Sequence, residues 1–203
     1  MNNVKLKELW APIANGEERI EDWWKRNELI VTSITNVDTE KDVVIWSASF
    51  YRYAMYLYKN GYSKQSMEYV NKAIEILESN KRIVHVQLYE DSLEKLLSSK
   101  VNILQRIEKY WEAYKITCTL CNMKPDKDSY RLARRNLLRS SIVKVISPIY
   151  IVLIFIFALI LCEIYLTHTH FIPSVVRKLA CVGWIVLLLI HYVVPVIINK
   201  IQK

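Results

Sequence analysis

The side chains able to do chemistry are few and scattered. Cys118 and Cys121 stand three apart, a spacing that serves as half of a zinc site or as a redox pair. No second Cys or His pair stands at a ligand spacing in the first 140 residues, so the pair reads as small apolar packing on a helix. His168 and His170 alternate beside Cys162 and Glu163. Two histidines and one carboxylate in a short connection read as interfacial polar residues rather than as a metal centre. His191 is the most pointed case, because it interrupts a long apolar run, and an ionisable residue in lipid is costly. It either lines a pathway or stays neutral and hydrogen-bonded. There is no P-loop, GxSxG, HExxH or Arg-x₄-His. No catalytic residue, metal or cofactor is expected, and no enzyme is supported.

What must position Glu163 and His191 is a pair of apolar runs. Val143 to Leu166 and Leu179 to Ile198 are each about as long as the ~20 residues of helix that a bilayer's hydrocarbon core requires. Backbone groups in lipid must be satisfied within the segment, so both runs are expected to be helices. The connection, Thr167 to Lys178, is too short to fold alone, which predicts a two-span antiparallel hairpin. Arg131, Arg134, Arg135, Arg139 and Lys144 precede or open the first span, Lys200 and Lys203 follow the second, and only Arg177 and Lys178 lie between. That asymmetry places both termini in the cytoplasm. The five cations before the membrane also suit anionic headgroups.

Composition narrows the rest. The 203 residues carry a net charge of +8, yet the excess sits mainly in the juxtamembrane stretch. Residues 1–124 mix lysines with Glu17, Glu18, Glu21, Asp22, Glu90, Asp91 and Glu94, whereas a nucleic-acid binder shows a basic face on its folded domain. The start, MNNVKLKELW, lacks the apolar core of a signal peptide. The cysteines outside the spans are expected to be cytosolic and reduced. Three glycines and five prolines argue against a turn-rich β fold. The class expected is all-α.

In chain order, 1–42 predict N-terminal amphipathic helices and a loop, broken at Asn15-Gly16. Trp23-Trp24 puts indoles on adjacent faces, so at least one should meet another element or the headgroup layer. Asp38 or Thr39 is placed to cap the following helix. Residues 43–79 read as helix, turn, helix, with Trp46, Phe50, Ala54 and Leu57 at helical steps, then Ser66, Val70, Ala73 and Leu77. Gly61 supplies the left-handed residue that closes the first helix. After a basic helix at 127–142 come the hairpin, 143–198, and a short tail, 199–203.

The stretch 43–126 resembles a tetratricopeptide repeat array. Its small-residue positions fall on Ala54, Ser66 and Ala73, its turn glycine on Gly61 and its large apolar positions on Leu57 and Val70. Phe50 stands where the family has Trp, and Ser79 where a proline often ends the unit. A second unit is carried by Tyr110, Ala113, Thr117, Leu120 and Pro125, with Thr117 a poor match. Ser66 and Ala113 are 47 residues apart, longer than the family's ~34-residue period. The resemblance implies paired helices forming a groove for peptides or helices. Candidate groove residues are Trp46, Arg52, Tyr53, Tyr56 and Lys59.

Two functions follow as expectations. The first is a membrane-anchored module whose cytosolic helical domain recruits a protein partner. The second is a small oligomerising membrane effector or pore, triggered through that domain, on the analogy of two-span proteins in bacterial anti-phage systems, some alongside CRISPR effectors. Only Glu163, His191 and the proline-marked spans speak for the second at residue level.

Overall fold

Three of the helices in this chain stop in the same way, and that shared ending organises the fold. The computed structural model describes residues 6–162 and the isolated positions 182, 183, 185 and 192. Among them are seven helices and no strand: α1 Leu6–Ala14, α2 Ile20–Ser33, α3 Glu40–Lys59, α4 Ser63–Ser79, α5 Val86–Arg106, α6 Tyr110–Met123 and α7 Asp128–Cys162. The all-α expectation is met. The chain divides into two compact units, 1–134 and 135–203.

α1, α3 and α5 each end in a left-handed residue two positions past the helix, at Gly16 (φ 74°), Gly61 (φ 91°) and Glu108 (φ 59°). In each case the N–H of that residue and of the next fold back onto the last turn. Gly61 N–H donates to Tyr58 O at 3.2 Å and Tyr62 N–H to Leu57 O at 2.9 Å. Gly16 and Glu17 do the same to Ile13 O and Pro12 O, and Glu108 and Lys109 to Gln105 O and Leu104 O. This is the Schellman arrangement, which satisfies carbonyls a helix end would otherwise leave open. Gly61 and Glu108 are 47 residues apart, the same interval as Ser66 and Ala113.

The stops separate α1 from α2, α3 from α4 and α5 from α6, and of these pairs α3–α4 and α5–α6 pack as helical hairpins. α3 packs on α4, α4 on α5 and α5 on α6, while α1 and α2 both pack on α3, which also touches α5. Ala54, Ser66 and Ala73 are fully buried. Ser66 Oγ donates to Ala54 O at 2.7 Å, and Ser47 Oγ donates to Ala73 O at 3.0 Å. A hydroxyl reaches a facing helix's carbonyl only where small side chains let the backbones approach. In the second hairpin Ala113, Thr117 and Leu120 are buried on α6, and Thr117 Oγ1 turns its polarity inward by donating to Ala113 O at 2.9 Å. Thr39 caps α3, accepting from Asp42 N–H at 3.2 Å.

One hydrophobic cluster runs from Leu6, Trp10 and Ile13 through Trp23, Trp24, Phe50 and Val70 to Leu96 and Ile103. α1 and α2 therefore share a core with α3, α4 and α5. α2 runs on to Ser33, α5 begins at Val86 and α6 at Tyr110. Beyond Arg134, α7 continues through Pro148 to Cys162 with Val145, Ile151 and Phe155 exposed. Between Asp128 and Ile156 it is long and apolar enough to cross a membrane, and its most apolar 18-residue window has mean hydropathy 1.8 and is 12% buried. The second apolar run lies outside the described residues except at 182, 183 and 185 and at 192.

The left-handed stops set a stability test. A side chain at such a φ costs ~1–2 kcal/mol, so Gly61→Ala should lower the melting temperature by a few degrees. Glu108→Gly should raise it by a similar or smaller amount. Thermal unfolding followed by circular dichroism reads both.

Candidate functional site

The face of α3 that carries the expected groove residues Trp46 and Tyr53 is covered in part by α2. Trp46, Phe50 and Tyr53 follow one another at four- and three-residue steps, so they share a face of α3, and α2 lays Trp24 across it. The Trp24 and Tyr53 rings stack at 4.5 Å, 6° from parallel. Phe50 and Tyr69 stand edge-on to Trp24 at 5.1 and 5.4 Å, and Tyr69 is also edge-on to Tyr53 at 4.9 Å. Trp23 extends the cluster to α1, edge-on to Trp10 at 5.0 Å. Offset-stacked and edge-to-face pairs are the geometries that aromatic quadrupoles favour. Trp24 is 1% exposed.

The indole N–H groups are treated differently. Trp23 Nε1 donates to Leu9 O at 2.7 Å and Trp46 Nε1 to Val31 O at 3.0 Å. Trp24 Nε1 has no acceptor, so its position is held by ring packing alone. Two carboxylates of α2 add polar ties at the margin. Glu28 accepts from Tyr69 Oη at 3.2 Å, and burial together with Glu28 pushes the Tyr69 pKa up to about 12. Glu21, hydrogen-bonded by Lys25 and Tyr56, has a lowered pKa, while its carboxylate pushes Tyr56 up to about 12. Both phenols stay neutral at physiological pH.

Of the five candidate groove residues, then, Tyr53 and Tyr56 are half-buried against α2, and Trp46 is buried. Arg52 is exposed, its guanidinium 5.6 Å from the Trp10 ring, and Lys59 is exposed at the end of α3. What remains open is a cleft of about 250 Å³ lined by Thr32, Trp46, Phe50, Glu68, Tyr69 and Lys72. Small-molecule sites are usually ~300–1,000 Å³, so this cleft lies just below that range. Leu29, 84% exposed, and half-exposed Ile30 lie close in sequence to Thr32 on α2.

A second polar cluster ties α5 to the beginning of α7. Glu94, almost buried, accepts from Lys127 Nζ and from Tyr130 Oη. Tyr130 Oη also lies 3.1 Å from Ser98 Oγ, and Lys124 Nζ lies 3.5 Å from Asp91. Hydrogen bonds from Lys127 and then Tyr130 hold the Glu94 pKa below the usual range. Periodicity gave no hint of this cluster, because its partners are more than 30 residues apart.

The cationic residues of α7 differ in setting. Arg131 pairs with Asp128 at 3.5 Å. Arg134 and Arg135 are half-buried, and Arg139 and Lys144 are exposed. Arg134 Nε is buried without an acceptor. Cys118 is half-buried and hydrogen-bonded with Tyr114, whose pKa rises in consequence, and burial raises the Cys121 thiol. Among the described residues no three His, Cys, Asp or Glu side chains converge on a metal position. Glu163 and His191 lie outside the described residues.

Two measurements probe these clusters. Trp24→Ala should destabilise the helical domain by ~3–5 kcal/mol, the usual range for emptying a large buried aromatic site. Glu94→Gln should lower the melting temperature at neutral pH. A carboxylate with a depressed folded-state pKa stabilises above its unfolded value, and that contribution disappears as pH falls through the folded value. The difference from the parent should therefore shrink on acidification.

No protein-family model matches this chain, and no curated protein or solved structure matches it.

Proposed function

We propose that this protein is a membrane-anchored interaction module: a cytosolic tetratricopeptide-like helical domain recruits a protein partner, and a C-terminal two-span hairpin holds it at the membrane. The observation that carries the reading is α7. A single helix begins within the helical domain, tied there by Glu94, and continues as an exposed apolar stretch. No Asp or Glu occurs between Asp128 and Glu163, while five cations do. That is the pattern of a segment entering lipid from the cytoplasmic side.

The same helix stop after α1, α3 and α5, small residues at the α3–α4 contact and packing chiefly between sequence neighbours support the repeat-like reading. The second span, Leu179 to Ile198, and the cytoplasmic placement of both termini rest on the sequence pattern. The partner surface is the cleft beside Trp46 rather than the Tyr53–Tyr56 face, since α2 covers part of the latter. Its Trp46, Phe50 and Tyr69 floor with Glu68 and Lys72 at the rim favours an apolar side chain flanked by charge.

Expressed in cells, the protein should remain with membranes through alkaline carbonate washing, and protease added to the cytoplasmic side should cleave near both ends. Release by carbonate would overturn the anchor. Purified into liposomes, it should be silent to ions. A leak abolished by His191→Ala would instead establish the pore-forming effector.

A further inference from the structure

An aromatic pair on α6 is used by neither the core nor the cleft. Trp111 is 53% exposed and stacks on Tyr114 at 5.2 Å, 17° from parallel. Lys115 Nζ lies 5.9 Å from the Trp111 ring centre. An exposed Trp held flat against a Tyr and edged by a Lys is unusual as mere surface, because each ring keeps apolar area in water that burial would remove at ~25 cal/mol per Å². The nearby acid on α6, Glu112, is paired with Lys109 at 2.9 Å.

α7 follows α6 after a four-residue connection, 124–127, and its Arg134 is within electrostatic reach of Tyr114 and of Cys121, and Arg131 within reach of Cys121. From Arg134 the apolar run at Val143 is nine residues on. As helix that is at most ~14 Å of rise, comparable with the headgroup layer plus the length of an indole. The tether thus keeps this end of the domain within reach of the bilayer surface. Which side of the domain meets the lipid is decided by surface chemistry.

We infer that Trp111, Tyr114 and Lys115 form a second membrane contact, docking α6 into the headgroup layer of an anionic leaflet next to Arg131 and Arg134. The chemistry matches on both counts. Trp and Tyr settle at the membrane–water interface, where an apolar ring and a polar edge are both satisfied. Each Lys or Arg near an anionic surface contributes ~1 kcal/mol, and Lys115 can spread its stem over the ring while its ammonium reaches phosphate. This contact rests on the anchored reading, since without a span α6 has no reason to be near lipid.

The full-length protein, reconstituted into nanodiscs of brominated phosphatidylcholine with or without phosphatidylglycerol, tests it by Trp quenching. The signal lost in Trp111→Phe isolates Trp111, and the signal lost in Trp184→Phe isolates a ring inside the second apolar run. Quenching of Trp184 in both lipids, with Trp111 quenched strongly only when phosphatidylglycerol is present and released from it by Lys115→Gln, is the expected result. Trp184 quenched while Trp111 stays open to aqueous acrylamide would overturn the α6 contact alone and leave that face to a protein partner. Equal quenching of Trp111 in both lipids would remove the anionic requirement and overturn the proposal as stated. An unquenched Trp184 would bring down the membrane reading itself, and this proposal with it.

Discussion

The stacking of Trp24 on Tyr53 is the contact on which the helical domain depends. Around that one indole, α2, α3 and α4 are brought to a common point, through Phe50, Tyr53 and Tyr69. Trp23 then carries the cluster to α1 through Trp10. The indole N–H is left without an acceptor, a cost of roughly 1–3 kcal/mol for a buried donor. The burial of a side chain of this size outweighs it. The N-terminal helices are therefore part of the domain's core, and on the face of α3 that sequence spacing marks as a groove Tyr53 is half-buried against Trp24 of α2.

How much of this is legible in the sequence depends on the range of each interaction. Gly61 announces the end of α3 because glycine tolerates a positive φ, and Thr39 announces its beginning because a hydroxyl there can accept an amide. Ala54, Ser66 and Ala73 are legible as a close helix contact because their size permits nothing else to be packed so tightly. Glu108 is not legible: it takes the same left-handed stop as Gly61, but a glutamate carries no signal for it. Nor are the Glu94–Lys127–Tyr130 cluster or the fate of Trp24 legible. Two adjacent tryptophans place rings on neighbouring faces, and only the tertiary fold shows that both go inward. Tyr53 and Tyr56 mark an aromatic face correctly without saying what covers it.

The charge distribution divides the chain more sharply than its helices do. Acidic and basic residues alternate through α2 to α6, where they pair locally, as Lys25 with Glu21 and Lys72 with Glu75. Such exposed pairs contribute little to stability, but they leave the domain close to neutral over most of its surface. Between Asp128 and Glu163 there is no acid, while four arginines and a lysine occur. α7 crosses that boundary without a break, so the electrostatic change falls within one element rather than between two. A helix continuous across it exposes cations and then apolar side chains in the order a bilayer presents phosphate and hydrocarbon.

The packing of the helices on near neighbours in the chain also sets a timetable. Contacts between helices adjacent or next-but-one in sequence close short loops, and helical domains of this kind fold in microseconds to milliseconds. Synthesis adds ~5–20 residues per second, so seconds pass between completion of the core, whose last buried member in the main cluster is Ile103, and completion of the second apolar run. The domain is then a closed body before the chain's most hydrophobic segments exist. Trp10, Trp23, Trp24 and Phe50 are already hidden when Val143 and the residues after it are made. During biogenesis the long apolar runs that begin at Val143 and at Leu179 are the next surfaces to appear.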